Sequence, residues 1–264
     1  MPELPDVEVF RQYVDSTSLN QEIDEVRVLD KDVLGDDDDE DDFGTTLEGD
    51  RFVSTDRRGK YLFLETDGGR TLVMHFGMSG YLKYKKREDE IPLHARAHFV
   101  FSEGASLFYI SQRKLGLLAL PGSRDRFIRE HSIGPDVLSL DREEFVERLK
   151  RKNGMVKSAL MDQSLFSGIG NIYSDEILFQ ARIHPKRKVN DLSKKEKTAL
   201  YRKTGRVLET AIERMSGPGT FPAHFLLPRR NEGEKCPYCE GTVEKIKISG
   251  RGCFICPSCQ KETP

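Results

Sequence analysis

The sequence predicts a multidomain α+β chain: an N-terminal antiparallel β-sandwich with flanking helices, then a helical domain, then a small β-hairpin tied by cysteines. Three observations predict it. Between residues 51 and 110, short apolar runs alternate with Gly- and Asp-rich turn signals, which is the pattern of hairpins. Beyond Ile133-Gly134-Pro135-Asp136 the apolar residues recur with helical period. The C-terminal segment carries two Cys-Pro-x-Cys pairs with sixteen residues between them.

The chain opens MPELPDVEVF. Pro5 suits the first position of a helix, where a missing N–H costs nothing. Phe10, Tyr13 and Val14 then share one helical face. Pro2 and Glu3 are therefore expected just ahead of an anchored helix, not on a frayed tail. Tyr61 to Leu64 and Thr71 to Phe76 flank Asp67-Gly68-Gly69, and Phe99 to Phe101 and Leu107 to Ile110 flank Glu103-Gly104. Both pairs read as hairpins. The seven acids from Asp36 to Asp42 read as a solvated loop inserted between strands. Such a loop repels nucleic acid and is expected to point away from a binding face; an autoinhibitory or partner-binding loop is the alternative. Past the boundary, Phe145, Val146 and Leu149 share a face. Ser193 with Glu196 makes a capping box. After it Leu200, Thr204, Val207, Leu208, Ala211, Ile212 and Met215 form one stripe, read as core, which Gly217-Pro218-Gly219 stops.

Composition narrows the function classes. At 264 residues with 33% charged residues, the chain reads as soluble and as about two domains. No apolar run approaches the ~18 residues of a membrane span, and the N-terminus lacks the basic and apolar regions of a signal peptide. Four of the five cysteines fall in the two knuckles, which suggests a metal in a reducing, cytoplasmic compartment rather than disulfides. The net charge of −2 hides an asymmetry: residues 151–264 carry +9 and residues 1–150 carry −11. A basic C-terminal half points to an anionic partner such as nucleic acid.

Cys236, Cys239, Cys256 and Cys259 form the strongest motif. Four thiolates in two knuckles suit one tetrahedral Zn²⁺, and four protein ligands make the site structural rather than catalytic. The metal would pin a hairpin too small to fold alone. Cys253 is left out because the two matching C-P-x-C pairs supply a symmetric site. The hairpin tip presents Arg251 between glycines, where it could grip a phosphate bidentately; an exposed turn arginine is the plain reading. In LMDQSLFSGIGNIYSDEILFQARIHP (160–185), SGIG leads into Asn171, read as the N-cap of a helix. The glycines at 168 and 170 let backbone amides face outward, so this helix–turn–helix would cradle a DNA phosphate. In RRGKYL (57–62), Lys60 sits at a turn within reach of a phosphate or a sugar. In HFGMSG (75–80), His75 lies in or just past a strand and Met78 on a loop. A wedge between stacked bases is one role for Met78; core packing is the default.

Together PELPDVE at 2–8, RRGKYL, HFGMSG, the 160–185 block and the terminal CxxC pairs resemble the formamidopyrimidine-DNA glycosylase / endonuclease VIII family over nearly the whole chain. The resemblance implies a β-sandwich catalytic domain over 1–133, a linker over 134–140, a helix–two-turn–helix DNA-binding domain over 141–230 and a zinc finger over 231–264. It implies a bifunctional DNA glycosylase and abasic-site lyase of base-excision repair. Met1 would be removed, and the secondary amine of Pro2 would attack C1′ to form a Schiff base. Glu3 would be the general acid/base. Lys60 would contact a phosphate and support β,δ-elimination. Met78 would fill the gap left by the flipped nucleotide. Asn171, Arg251 and His75 would hold phosphates, and Arg113 would lie opposite the flipped base. The implied partner is double-stranded DNA with a damaged base or abasic site, bound by a monomer associated with the nucleoid.

The departures concern substrate. Ser111-Gln112-Arg113-Lys114-Leu115-Gly116 stands where oxidised-purine enzymes usually carry D-P-R-R-F-G, so Leu115 replaces an aromatic wedge. Asp6 replaces a glutamate, and Gly217 to Cys236 is shorter than in the purine enzymes. Weak 8-oxoguanine activity is expected, with formamidopyrimidines and oxidised pyrimidines accepted; 8-oxoguanine is the alternative substrate. A non-catalytic DNA-damage binder on the same scaffold, blocked by a retained Met1, is a rival reading. A zinc-ribbon RNA-binding module is another, but it leaves PELPDVE and Lys60 unexplained.

Overall fold

The computed structural model describes the chain apart from residues 36–37, 88–89, 218–219 and 263–264 and the side chains of 40 and 41. It forms two compact units: Met1–Pro2 with Asp6–Ile133, and Glu3–Pro5 with Gly134–Pro264.

Helix α1 runs Leu4–Thr17, so Pro5 takes its second position rather than its first. No first-turn N–H has an intrahelical partner, so proline is equally harmless there. In the first unit β1 (Ile23–Val28), α2 (Glu40–Leu47), β2 (Phe52–Arg58), β3 (Tyr61–Thr66), β4 (Thr71–His75), β5 (Tyr81–Lys85), β6 (Ala95–Phe101), β7 (Ser106–Ile110), β8 (Leu117–Ala119) and α3 (Arg124–Glu130) follow. They build two four-stranded sheets, ordered β1-β6-β7-β5 and β2-β3-β4-β8, with every pairing antiparallel. Val7 and Val14 of α1 join Phe52, Leu62, Leu64, Met74, Phe99 and Tyr109 in the central core. Phe63, between two of those leucines, packs instead with Val73, Phe127 and Ile128. Helix α3 thus covers the outer face of that sheet, which is why Tyr-Leu-Phe-Leu is apolar without alternation.

The acidic run is only partly the loop expected of it. Asp36 and Asp37 lie outside the described residues. Asp38 accepts the Leu120 backbone N–H at 3.2 Å, and Glu40 onward is helix α2. Phe43 and Leu47, four residues apart, are buried in the core and hold that helix down; the density of acids hid their spacing.

The second unit contains α4 (Arg142–Leu149), α5 (Val156–Leu160), α6 (Asn171–Ala181), α7 (Lys194–Met215) and a two-stranded hairpin, β9 (Glu244–Ile248) with β10 (Arg251–Ile255). Helix α7 begins at the Ser193/Glu196 capping box and buries Leu200, Thr204, Val207, Leu208 and Ala211. It ends at Met215; of the expected stop signal, Pro218 and Gly219 lie outside the described residues. Helix α6 is buried from Tyr173 through Gln180, so its two acids, Asp175 and Glu176, are interior groups that need partners.

Candidate active site and metal centre

In the first unit, Pro2 is half-buried just ahead of α1. Lys60 sits with Gly59 in the two-residue turn between β2 and β3, where Gly59 takes φ +61°. Lys60 is only 6% exposed, so it is not a solvated turn lysine. Glu8 on α1 grips Arg57 at 2.9 Å, and Arg57 donates to the Gly59 carbonyl at 3.3 Å; together they fix this turn. His75 pairs with Tyr61 across the sheet, and their rings stack at 4.8 Å. Burial, then the nearby Lys60 charge, pushes the His75 pKa down to about 4. His75 is therefore neutral near pH 7, and any phosphate contact it makes is as a neutral N–H donor.

That shift has a stability consequence. The unfolded chain takes up a proton on His75 near pH 6.5, whereas the folded chain resists until about pH 4. Stability is thus present above pH 6.5 and lost as pH falls toward 4, by up to about 3 kcal/mol. Denaturant titrations at pH 7 and pH 5 should show a smaller loss for His75→Gln than for the parent. Equal losses would mean that His75 titrates normally.

Beyond His75 the chain turns through Gly77, at φ +55°, and exposes Met78 (43%). A Cβ on Gly77 would lie 2.2 Å from the Leu115 carbonyl oxygen, so this loop packs directly on the segment carrying Arg113 and Leu115. The Arg113 backbone N–H donates to Ser79 Oγ at 3.3 Å. Met78 and Leu115, 51% exposed, are thus apolar tips on two adjoining loops. Asp30 braces the second loop: it accepts from Arg96 and Lys114 at 2.9 and 2.8 Å, and Arg96 donates to the Ser111 carbonyl.

In the second unit Glu3 is 1% exposed. Its Oε2 accepts the backbone N–H groups of Gly170 and Tyr173 at 2.8 and 3.2 Å, and its Oε1 accepts that of Ile172 at 2.8 Å. These donors are the start of α6, so three hydrogen bonds and the positive helix end offset the desolvation of the buried carboxylate. This corrects the sequence expectation at SGIG. Gly170, not Asn171, is the N-cap, and the anion cradled there is the chain's own Glu3. A Cβ on Gly170 would stand 2.3 Å from Glu3 Cδ, and one on Gly168 2.5 Å from Leu4 Cδ1. Gln163 holds the turn, accepting from Gly168 N and donating to Ile169 O. Asn171, the first residue of the helix, donates from Nδ2 to the Gly252 carbonyl at 3.0 Å, which leaves it one N–H. Arg251 is exposed at the start of β10, directly after Ser249 and Gly250 with positive φ.

Cys236, Cys239, Cys256 and Cys259 bring their sulfurs within 4.8 Å of one another. Three of the Sγ–Sγ separations are 3.8, 3.6 and 3.5 Å. A tetrahedral site with Zn–S bonds of about 2.3 Å needs edges of about 3.8 Å, so the four thiolates fit one structural Zn²⁺. Backbone N–H groups of Tyr238 and Gly241 point at Cys236 and Cys239, the second layer such ligands need. Cys253 is outside the cluster: its buried thiol donates to Asp175 at 2.9 Å, and burial, then the Asp175 charge, raises its pKa and keeps it protonated.

Sequence patterning does not mark the interior polar groups. Glu176 accepts from Gln180 and from the Leu227 backbone, both at 2.8 Å, and burial pushes its pKa up to about 7. Gln180 accepts from the Tyr238 hydroxyl, tying the first zinc knuckle to α6. Asp175 takes Lys157, Arg230 and Cys253. For Asp175 and Glu176 the signal in the sequence is a pair of acids amid Ile172, Tyr173, Ile177, Leu178 and Phe179.

Three family models match the chain: the formamidopyrimidine-DNA glycosylase N-terminal domain over residues 1–118, the H2TH domain of the same enzymes over 133–221, and a zinc finger found in FPG and IleRS over 233–261. The formamidopyrimidine-DNA glycosylase of Pelotomaculum thermopropionicum is 32% identical, with 99% of each chain covered. That of Streptococcus mutans is 34% identical, with 99% of this chain and all of the other covered. Among solved structures, a complex of the Lactococcus lactis Fpg with abasic-site DNA superposes with a TM-score of 0.89 at 28% identity, covering 98% of this chain and all of the other. A complex of the same protein with DNA containing FAPY-dG gives 0.88 at 28%, with the same coverage.

Proposed function

The chain belongs to the formamidopyrimidine-DNA glycosylase family and is a DNA glycosylase of base-excision repair, and from that premise we propose that it removes oxidised bases through a Schiff base on Pro2 and then cleaves the strand by β,δ-elimination. The observation that carries the reading is the Glu3 carboxylate, buried and aimed by three N–H groups of α6. Its neighbour in the chain is the proline whose amine would react. Once Met1 is removed, Pro2 N attacks C1′ and the base leaves; loss of the amine proton and opening of the C1′–O4′ bond, with O4′ protonated, then give an iminium whose fixed positive charge draws electrons from the sugar and drives elimination. Glu3 moves protons on and off the opening sugar. Lys60 holds a phosphate and supports strand cleavage, Arg251 and the remaining Asn171 N–H hold others, and His75 adds a neutral donor. Met78 and Leu115 enter the stack vacated by the flipped nucleotide, with Arg113 facing the base left behind. The zinc chemistry is structural: it holds the hairpin that presents Arg251. The protein acts as a monomer on double-stranded DNA, with catalysis assigned to 1–133, DNA binding to 141–230 and the zinc finger to 231–264. No helix among the described residues is long and apolar enough to cross a membrane.

The test is borohydride trapping on a duplex with one abasic site, with protein freed of Met1. A covalent adduct is expected, with none from protein that retains Met1. No adduct despite intact DNA binding would make the protein a damage binder. For lesion choice, the aliphatic Leu115 and the short segment before Cys236 favour formamidopyrimidines and oxidised pyrimidines. Excision of 8-oxoguanine opposite cytosine as fast as of a formamidopyrimidine would refute that preference.

A further inference from the structure

Asp175 is a buried carboxylate that the proposed chemistry leaves unused. Its Oδ1 accepts from Lys157 Nζ at 2.5 Å and from the Cys253 thiol at 2.9 Å. Its Oδ2 accepts from Arg230 Nε and Nη2 at 3.0 and 2.7 Å and from the Phe254 backbone N–H at 3.2 Å. The side chains of Asp175 and Lys157 are 0% and 1% exposed. Such groups are retained only when fully partnered, and here five donors converge on one carboxylate.

The partners share one destination. Cys253 and Phe254 lie two and three residues past Arg251 on β10. Lys157 reaches on to the Asn171 carbonyl at 3.2 Å and Ser174 Oγ at 2.8 Å. Asn171 in turn holds Gly252. Next to Lys157, the Ser158 hydroxyl meets that of Ser249 at 3.2 Å. Zinc holds the opposite end of the hairpin. Cys256 is five residues beyond Arg251, about 17 Å along an extended strand. A two-stranded ribbon is too weak to carry rigidity over that length alone, so the metal fixes the root of the hairpin and leaves its tip to be fixed by something else.

We propose that Asp175 is a positioning residue: with Lys157 and Arg230 it forms a second anchor, built from none of the zinc ligands, that locks the Arg251 end of the zinc-folded hairpin to α6. The inference rests on the phosphate-binding role proposed for Arg251. It predicts that Asp175 matters to DNA only through the tip.

The test is a double-mutant cycle on the zinc-loaded protein, read as binding to a duplex carrying an uncleavable abasic analogue. Asp175→Asn should keep its zinc, bind about tenfold more weakly, and lower the salt slope by about one, as loss of one phosphate contact does. Arg251→Ala should do the same, and the double variant should bind within about twofold of Arg251→Ala. Because Asp175→Asn leaves two cations facing a neutral amide and could misfold, Cys253→Val serves as a second probe. It removes one donor and no charge, and should weaken binding about threefold in the parent and not at all with Arg251→Ala. Additive losses, parent-like binding by both probes, or zinc loss from Asp175→Asn would overturn the anchor alone. Arg251→Ala binding like the parent would overturn the phosphate reading and the anchor with it.

Discussion

Gly170→Ala lowers the single-turnover rate of abasic-site cleavage by about 10²- to 10⁴-fold, the share that a positioned acid/base supplies, while binding to an uncleavable abasic duplex stays within a few-fold. The cause is space, not backbone angle. Gly170 has φ −123°, which any residue adopts. Its added Cβ would stand 2.3 Å from Glu3 Cδ and 2.4 Å from Oε1, distances no side chain tolerates. The carboxylate must leave the α6 N-terminus and surrender its bonds to Gly170, Ile172 and Tyr173. Glu3→Gln, which keeps the shape but not the charge, should act in the same direction. The check is gel-resolved single-turnover cleavage beside anisotropy binding. Unchanged cleavage by Gly170→Ala would mean that Glu3 acts from some other position or not at all.

Zinc removal is the second large effect. Structural Zn²⁺ contributes roughly 10–16 kcal/mol to small domains at neutral pH, as much as the roughly 5–15 kcal/mol that holds a whole domain folded. The cluster of Cys236, Cys239, Cys256 and Cys259 forms the root of β9–β10 and packs with Phe179, Leu226 and Val243. Chelation should therefore release the hairpin and lower affinity for an abasic duplex by more than about 100-fold, through loss of ordered phosphate contacts. Restoring zinc should recover binding. The α1–β8 sheets contain none of these ligands, so their thermal transition should survive chelation. Metal-free protein that binds DNA like the zinc form would remove the hairpin from the interface.

Sequence patterns with short range were legible because they are set by neighbours in the chain. The hairpins β3–β4 and β6–β7 announced themselves by turn residues, α7 by its stripe and capping box, and the metal site by knuckle spacing. Where one pattern masks another, the weaker one is illegible: seven acids hide the Phe43–Leu47 pair that makes α2 a helix. The roles proposed for Pro2 and Glu3 come through resemblance of motifs, not through any physical signal in a proline or a glutamate.

What only the tertiary structure decided lies at long range. Glu3 and Gly170 are far apart in the chain, yet the carboxylate occupies the helix end where the SGIG pattern predicts a phosphate. A glycine kept for the space it leaves looks, in sequence, like one kept for its backbone angle. Lys157 on α5, Asp175 on α6, Cys253 on β10 and Arg230 carry no joint signal in the sequence; only burial around the Asp175 carboxylate makes them one charged network. His75 is neutral for the same reason, since desolvation and the Lys60 charge are properties of a place in the fold. Local periodicity and ligand spacing determined the elements and the metal. The pairing of buried charge with distant donors determined the site, because the cost of an unpartnered charge arises only once water has been excluded.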